Sequence, residues 1–454
     1  MNDSKKQIKT RFAPSPTGPF HVGGVRTALF NFLFTRNVGG EFLLRVEDTD
    51  TERSLKKYED EMKEALEWLN IEYDSAPVRQ SERTKLYSDY LQKLIDSGHA
   101  YISKEEEGER DEVIRFKNSG KVVKFQDEIR GEIEFDTTEL GDFVIAKSIE
   151  EPLYHLAVVI DDHEMGITHV IRGEDHISNT PRQILIQEAI GAERPIYAHI
   201  PLILGADKSK LSKRHGATAV LQYREEGYLP EAFNNYLALL GWNPGDDREI
   251  FTLEELISEF SLSGVQKGGA IFNQEKLLWV NRQHILNLSD HDFFHHVEEN
   301  IPADLKKLPN YNTKMLKKIL PLIRERTEKI TDITKMGDEG ELEYYFEQPG
   351  YFAKGLLWRD DEDLEISKKH LKHAQETFEE IDEESWNRDM TKGMIWEYAT
   401  EQGRGSVLWP LRYALSGMDR SPDPFELAEV LGKEETLSRI DVAIDRIEEE
   451  GSGI

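Results

Sequence analysis

The stretch Thr10-Arg-Phe-Ala-Pro-Ser-Pro-Thr-Gly-Pro-Phe-His-Val-Gly-Gly24 decides how the rest of the chain reads. A short apolar run enters it, prolines and glycines fill it, and a segment rich in Ala, Leu and Phe leaves it. That order predicts a strand, a turn and a helix. Ala28, Leu29, Phe32 and Leu33 recur at helical spacing, which starts the helix near Gly23. A helix N-terminus offers unpaired N–H groups and the positive end of a dipole, which suits phosphate. His21 stands one turn or less before that end, and Gly23 and Gly24 let a flat ligand approach the backbone. Taken alone, His21 reads as a satisfied histidine in an ordinary βα loop.

Two distant features change that reading. Lys210-Leu-Ser-Lys-Arg214 is a compact cationic loop, and Glu47-Asp-Thr-Asp50 closes the next strand. A His-x-Gly-Gly turn after a first strand, with Lys-x-Ser-Lys-Arg about 190 residues later, resembles the paired signature of class I aminoacyl-tRNA synthetases. Phe12-Ala-Pro-Ser-Pro-Thr-Gly18 and Arg45-Val-Glu-Asp-Thr-Asp50 narrow the resemblance to glutamyl-tRNA synthetases of the bacterial type, and it covers nearly the whole chain.

The 454 residues suffice for two to four domains. No apolar run approaches a membrane span, the N-terminus lacks a signal-peptide apolar region, and there is no cysteine. A cytoplasmic location is expected. The net charge of −30 argues naively against nucleic acid, but distribution matters more than total. Lys306–Lys329 carries eight Lys/Arg against Glu325 and Glu328, a local excess of +6. A solvated helix face and a phosphate-contacting face fit that run about equally.

Residues 8–95 read as half of a nucleotide-binding α/β unit. Residues 96–151 hold short alternating strands, Val113–Phe116, Val122–Phe125, Gly131–Phe135 and Phe143–Lys147, as a small β-rich insertion. Residues 152–205 resume the α/β pattern, with Leu156–Ile160, Thr168–Ile171 and Ile196–Leu204 expected as strands and a capped helix starting at Thr180-Pro181. The expected fold is α/β, a doubly wound parallel sheet, followed by an almost wholly helical C-terminal half. The ligand crevice belongs at the carboxyl ends of the strands, where all three motifs fall. The resemblance divides the chain into a catalytic domain (1–95 and 152–205), an acceptor-end-binding insertion (96–151), a stem-contact region with the Lys210 loop (206–289), and a helical anticodon-binding region in two parts (290–346 and 347–454).

Activating a carboxylate with ATP requires of the protein mainly positioning and electrostatic stabilisation. His21 can donate to a phosphate oxygen, and Lys210 and Lys213 can follow charge onto departing pyrophosphate. The resemblance implies these three as catalytic, and Pro14, Gly23, Gly24, His176, Ser212, Lys213 and Arg214 as ATP contacts. A glutamate substrate needs arginine in a planar pair for its carboxylates and a carboxylate for its ammonium. Arg11, Glu47 and Arg172 supply that set from strand ends, although Arg172 could instead pair with Glu174 at the surface. By resemblance the pocket is lined by Arg11, Ala13, Ser15, Glu47, Tyr154 and Arg172. The tRNA contacts it implies are Asp50, Arg53, Lys147, Lys314, Lys317, Lys318, Arg404 and Arg412.

Asp161-Asp162-His163-Glu164 is expected to be a hydrogen-bonded turn rather than a metal site. Mg²⁺ is expected with ATP on phosphate oxygens and water; zinc and any dedicated protein metal site are not. The implied activity is glutamate–tRNA ligation by a monomer acting on L-glutamate, ATP and tRNA(Glu), with charging of tRNA(Gln) left open. In the family, bound tRNA is needed for efficient activation. A glutamyl-queuosine tRNA synthetase-like enzyme lacks an anticodon-binding part, whereas about 160 residues lie beyond position 289 here. A glutaminyl enzyme would carry a β-barrel there. A non-catalytic tRNA-binding paralogue would not need His21, Lys210 and Lys213.

Overall fold

The computed structural model describes residues 7–50, 52–105, 112–211, 219–359, 361 and 363–451. Its contacts divide the chain into two units, Met1–His284 and Ile285–Ile454.

The first unit opens with β1 (Lys9–Phe12), α1 (Val22–Asn37), β2 (Glu41–Val46), α2 (Lys56–Trp68), β3 (Val78–Arg79) and α3 (Thr84–Asp96). Next come β4 (Ala100–Lys104), β5 (Glu112–Phe116), β6 (Val122–Asp127), β7 (Gly131–Asp136), β8 (Phe143–Ser148) and β9 (Glu151–Pro152). Then follow α4 (Tyr154–Glu164), β10 (His169–Gly173), α5 (Thr180–Ile190), β11 (Ile196–Ile200) and β12 (Ile203–Leu204). Three helices, α6 (Val220–Glu225), α7 (Pro230–Leu239) and α8 (Leu253–Glu259), one short strand, β13 (Ala270–Ile271), and α9 (Gln274–Asn287) as far as His284 complete it.

β2 pairs in parallel with β1 on one side and β3 on the other, and β10 pairs in parallel with β11. β1 abuts β10, where Thr168 N–H donates to Lys9 O at 3.0 Å. Strand order therefore reverses between β1 and β10, the place where a doubly wound sheet opens a crevice. The insertion is split. β4, β5, β8 and β9 make their own antiparallel sheet, whereas the β6–β7 hairpin joins the catalytic sheet through β11, with Tyr197 opposite Asp127.

One expected strand is a helix. Leu156–Ile160 forms the middle of α4, with every residue of the run buried. A five-residue apolar run cannot separate a buried helix from a buried strand by period. Here packing against both α3 and α5 decides, since it buries the whole circumference. The acidic group that follows is accordingly the last turn of a helix, not a loop after a strand.

The second unit is helical: α10 (Asp290–Asn300), α11 (Thr313–Arg326), α12 (Thr331–Asp338), α13 (Leu364–Glu379), α14 (Arg388–Gln402), α15 (Arg404–Ser416), α16 (Pro424–Leu431) and α17 (Lys433–Gly451). α15 is its hub and packs on α13, α14, α16 and α17. A Cβ at Gly405 would lie 2.4 Å from the Trp358 ring, so the start of α15 admits only glycine without a shift of that ring. Among the described residues no helix is long and apolar enough to cross a membrane.

Candidate active site

α1 begins at Val22, and His21 itself is its N-cap, accepting the Gly24 N–H on Nδ1 at 3.4 Å. With Nδ1 accepting, the ring's hydrogen belongs on Nε2. Surrounding protein, and then the cation Lys210, hold the His21 pKa below its ordinary value, with Asp175 opposing. His21 is thus a neutral N–H donor near neutral pH. Gly24 has a second reason to be glycine: a Cβ there would sit 2.7 Å from the Phe20 ring.

The residues that flank the segment 212–218 are fixed at this site. Before it, Lys210 bridges to Leu204, and Leu211 N–H donates to Ile203 O at 2.9 Å. After it, Ala219 bridges to His21, and Val220 N–H donates to Phe20 O at 2.9 Å. Ser212, Lys213 and Arg214 lie outside the described residues. Lys210 Nζ stands 2.9 Å from Asp175 Oδ2, a partner that the sequence pattern does not single out.

A crevice of about 680 Å³ opens here at the carboxyl ends of β1, β2, β10 and β11. Arg11, Ala13, Pro14, Ser15, His21, Gly23, Gly24, Glu47, Tyr154, Arg172, His176 and Lys210 all line it, so residues distant in sequence meet on one surface. Tyr154 OH and His176 Nδ1 are 3.1 Å apart. Burial, then Arg172, pushes His176 down to about 4, so it too is neutral.

Beneath the crevice lies a buried ionic network. Asp162 accepts from Arg11 Nε at 3.0 Å and from Arg45 Nη1 at 2.6 Å, and Arg45 Nη2 also reaches Glu47 at 2.8 Å. Burial is the largest influence on each acid. In Asp162 the two arginines outweigh it and the pKa is lowered; in Glu47 burial wins and the pKa is raised. Asp161, beside them, accepts from Tyr87 OH and Gln80 Nε2, each at 2.8 Å. The acidic group is therefore structural, as expected, but as the anchor of three arginines, Arg11 and Arg45 on Asp162 and Arg83 on Asp161, rather than a turn. Arg45 lies within the quoted Arg45–Asp50 motif; its burial alone could have marked it.

Arg172 does not pair with Glu174, which instead takes Arg130 at 2.6 Å. Arg172 is buried, and its Nε donates to His199 Nε2 at 3.1 Å. Its Nη2 donates to Thr180 Oγ1 at 2.9 Å and to Gln183 Oε1 at 2.8 Å. Thr180 is thus an acceptor for Arg172; the residue before it, Asn179, caps α5 without a side-chain bond. The planar bidentate pairing expected from sequence would need Nη2 to leave its partners. Nη1 is the donor left toward the crevice.

Of the expected tRNA contacts, Asp50 pairs with Arg53 at 2.6 Å, and Lys147 is exposed nearby, its charge helping to lower the Asp50 pKa after the Arg53 bonds. In the second unit Lys314 is exposed and Lys317 lies 5.1 Å from the Phe294 ring. Lys318 serves the fold, since its Nζ donates to the Glu429 and Val430 carbonyls at 2.9 and 2.6 Å and caps the C-terminal end of α16. Other cations of the basic run are likewise engaged, Arg324 with Asp290 and Arg326 with Glu341. Arg404 stacks over Trp396 at 4.5 Å and Arg412 over Trp409 at 4.8 Å.

A parallel sheet that reverses order at a crevice, with a histidine-capped helix and Lys210 on its lining, is the arrangement of a class I aminoacyl-tRNA synthetase. Comparison with known proteins agrees. The family described as tRNA synthetases class I (E and Q), catalytic domain, matches residues 7–110 and 102–279, and an anticodon binding domain matches 292–444. Glutamate–tRNA ligase 1 of Caldanaerobacter subterraneus is 40% identical, over 98% of this chain and 99% of its own. Glutamate–tRNA ligase of Carboxydothermus hydrogenoformans is also 40% identical, over 95% and 99%. The crystal structure of a glutamate tRNA ligase from Elizabethkingia meningosepticum in complex with its amino acid superposes with a TM-score of 0.82 at 34% identity, covering 97% of this chain and 100% of that one. Within the class, the chain belongs to the glutamate–tRNA ligase family.

Proposed function

We propose that the crevice joins L-glutamate to ATP as glutamyl-adenylate, releasing pyrophosphate, and then passes the glutamyl group to the terminal ribose of tRNA(Glu). One observation carries the reading. Two arginines and a carboxylate, Arg11, Arg172 and Glu47, line the same crevice as the His21 helix N-terminus and Lys210. The first set suits an amino acid with two carboxylates and an ammonium. The second suits a triphosphate. Ala13, Ser15 and Tyr154 complete the glutamate pocket; Pro14, Gly23, Gly24 and His176, with Ser212, Lys213 and Arg214, serve ATP.

Mg²⁺ enters on the phosphates, held by their oxygens and water. Lys213 meets charge developing on pyrophosphate. Asp50, Arg53 and Lys147 meet the acceptor arm, and Lys314, Lys317, Arg404 and Arg412, all in the anticodon-binding region, meet the anticodon arm by charge and stacking. We assign Lys318 to the fold instead. The protein works as a cytoplasmic monomer without zinc.

Pyrophosphate exchange with and without tRNA tests the chemistry. Exchange should require glutamate, reject glutamine and rise when tRNA is added. A chain that exchanges nothing under any of these conditions would be a tRNA-binding paralogue. Charging purified tRNA(Glu) and tRNA(Gln) side by side settles the range of acceptors.

A further inference from the structure

We propose that Asp127 and His199 are positioning residues for Arg172: Asp127 sets the tautomer of His199, so that a neutral nitrogen and not an anion holds the guanidinium. The proposal rests on the assignment of Arg172 to the glutamate carboxylate.

The geometry leaves a single hydrogen-bond pattern. His199, on β11, is fully buried. Its Nε2 receives Arg172 Nε–H at 3.1 Å, and a guanidinium can only donate. Nε2 must therefore present its lone pair, and the ring hydrogen belongs on Nδ1. Nδ1 lies 2.6 Å from Asp127 Oδ2. Asp127 is in turn held as an acceptor by backbone N–H groups of Ile129 at 3.0 Å, Arg130 at 2.8 Å and His199 at 3.1 Å. Behind it, Arg130 donates to His199 O at 3.1 Å and Lys267 O at 2.7 Å. The turn that carries Asp127 is thus tied to the sheet from both sides.

The charges that face His199 pull in both directions. They are Asp127 from β6, Arg130 after it, and Arg172 from β10; Thr180 and Tyr197 contribute uncharged groups. Burial above all lowers the imidazole pKa; the Asp127 hydrogen bond raises it, Arg172 and Arg130 lower it, and the result lies below the ordinary value. A protonated His199 would turn an N–H toward Arg172 and break the contact.

The consequence is electrostatic. Arg11 meets the Asp162 carboxylate directly, which cancels part of its field in the crevice. Among the described residues Arg172 donates to the neutral His199, Thr180 and Gln183 and lies over the uncharged Tyr197 ring, so its charge stays available to a substrate carboxylate. Asp127 fixes the ring from one imidazole further away. A strand of the insertion thereby takes part in substrate binding without touching substrate.

Asp127→Asn keeps the shape; with its oxygen held by the Ile129 and Arg130 N–H groups, its NH2 takes the place of Oδ2 and offers hydrogens to Nδ1. His199 must then carry its hydrogen on Nε2, donor against donor at Arg172. In pyrophosphate exchange with saturating tRNA, the glutamate KM should rise about tenfold or more while the ATP KM moves by no more than about twofold. In an Arg172→Ala background the same change should add no more than about twofold, because its target is gone. NMR of the full-length protein with nitrogen-labelled histidine should show His199 as the Nδ1–H form in wild type and Nε2–H in the variant. Wild-type His199 found as Nε2–H or as imidazolium near neutral pH overturns the proposal, whether or not the variant folds. So does an undiminished effect of Asp127→Asn without Arg172. If Arg172→Ala itself leaves the glutamate KM unchanged, the pocket assignment is what fails, and the tautomer measurement still decides the Asp127–His199 arrangement.

Discussion

Arg11 and Arg172 line one crevice, and each is anchored through the same edge of its guanidinium. Nε and Nη2 of Arg11 both point at Asp162, and Nε and Nη2 of Arg172 are taken by His199, Thr180 and Gln183. Both arginines therefore offer Nη1 to a ligand from a pre-set orientation. Lysine can reproduce neither the anchoring edge nor the free one. Arg172→Lys should raise the glutamate KM about 10- to 100-fold, the worth of a charge-assisted hydrogen bond, with the ATP KM little changed. Loss of ATP use with glutamate use intact would reassign the pocket.

Asp162→Asn removes the carboxylate that both Arg11 and Arg45 rely on. Breaking a buried pair of this kind costs about 3–5 kcal/mol, so the urea midpoint should fall clearly. The pH dependence has a definite sign. The Asp162 pKa is lowered in the folded state, so its stabilisation is present above the unfolded carboxylate value and is lost as pH falls through the native one. Glu47 and Asp161, raised by burial, act with the opposite sign in both proteins. The difference between wild type and variant should therefore shrink as acid is added; a difference that stays constant down to the acid transition would contradict the assignment.

Lys213→Ala should slow adenylate formation by about 100- to 1000-fold, the usual cost of losing a donor aimed at developing charge, with far less effect on glutamate binding. Single-turnover exchange separates the step from binding. An equal loss in ground-state ATP affinity with an unchanged step would remove Lys213 from the reaction.

The cations of the basic run divide between fold and surface. Lys318→Ala should destabilise the second unit by about 1.5–3 kcal/mol, because the α16 carbonyls lose a charged donor, and should leave the salt slope of tRNA binding alone. Lys314→Ala and Lys317→Ala should each lower that slope by about one without loss of stability. Titration of tRNA at several salt concentrations, beside thermal melts, reads both. The reverse pattern would return Lys318 to the interface.

A fragment ending at Asn287, the last residue of α9, keeps every residue proposed to bind glutamate and ATP. It should bind both weakly, bind tRNA with a shallower salt slope, and lose preference for the cognate anticodon. Adenylate formation should fall with it and return in part at high tRNA concentration. Full-length anticodon preference in the fragment would end the assignment of residues 290–454 to tRNA.

Local chemistry in the sequence was enough for the strand–turn–helix at residues 10–37 and the α/β-then-helical order of the chain. Each depends on residues a few positions apart, whose spacing, turn propensity or charge is written in the chain. What needed the tertiary structure depends on partners far away. Leu156–Ile160 is apolar throughout, and only packing against α3 and α5 makes it a helix. Lys318 looks like its basic neighbours until α16, more than a hundred residues on, sets its carbonyls against the ammonium. Asp127 sits 72 residues from His199 and reads as an ordinary turn acid. Their hydrogen-bond network with Arg172 closes only when the sheet brings β6, β10 and β11 together, so Asp127 and His199 carry no mark in the one-dimensional pattern.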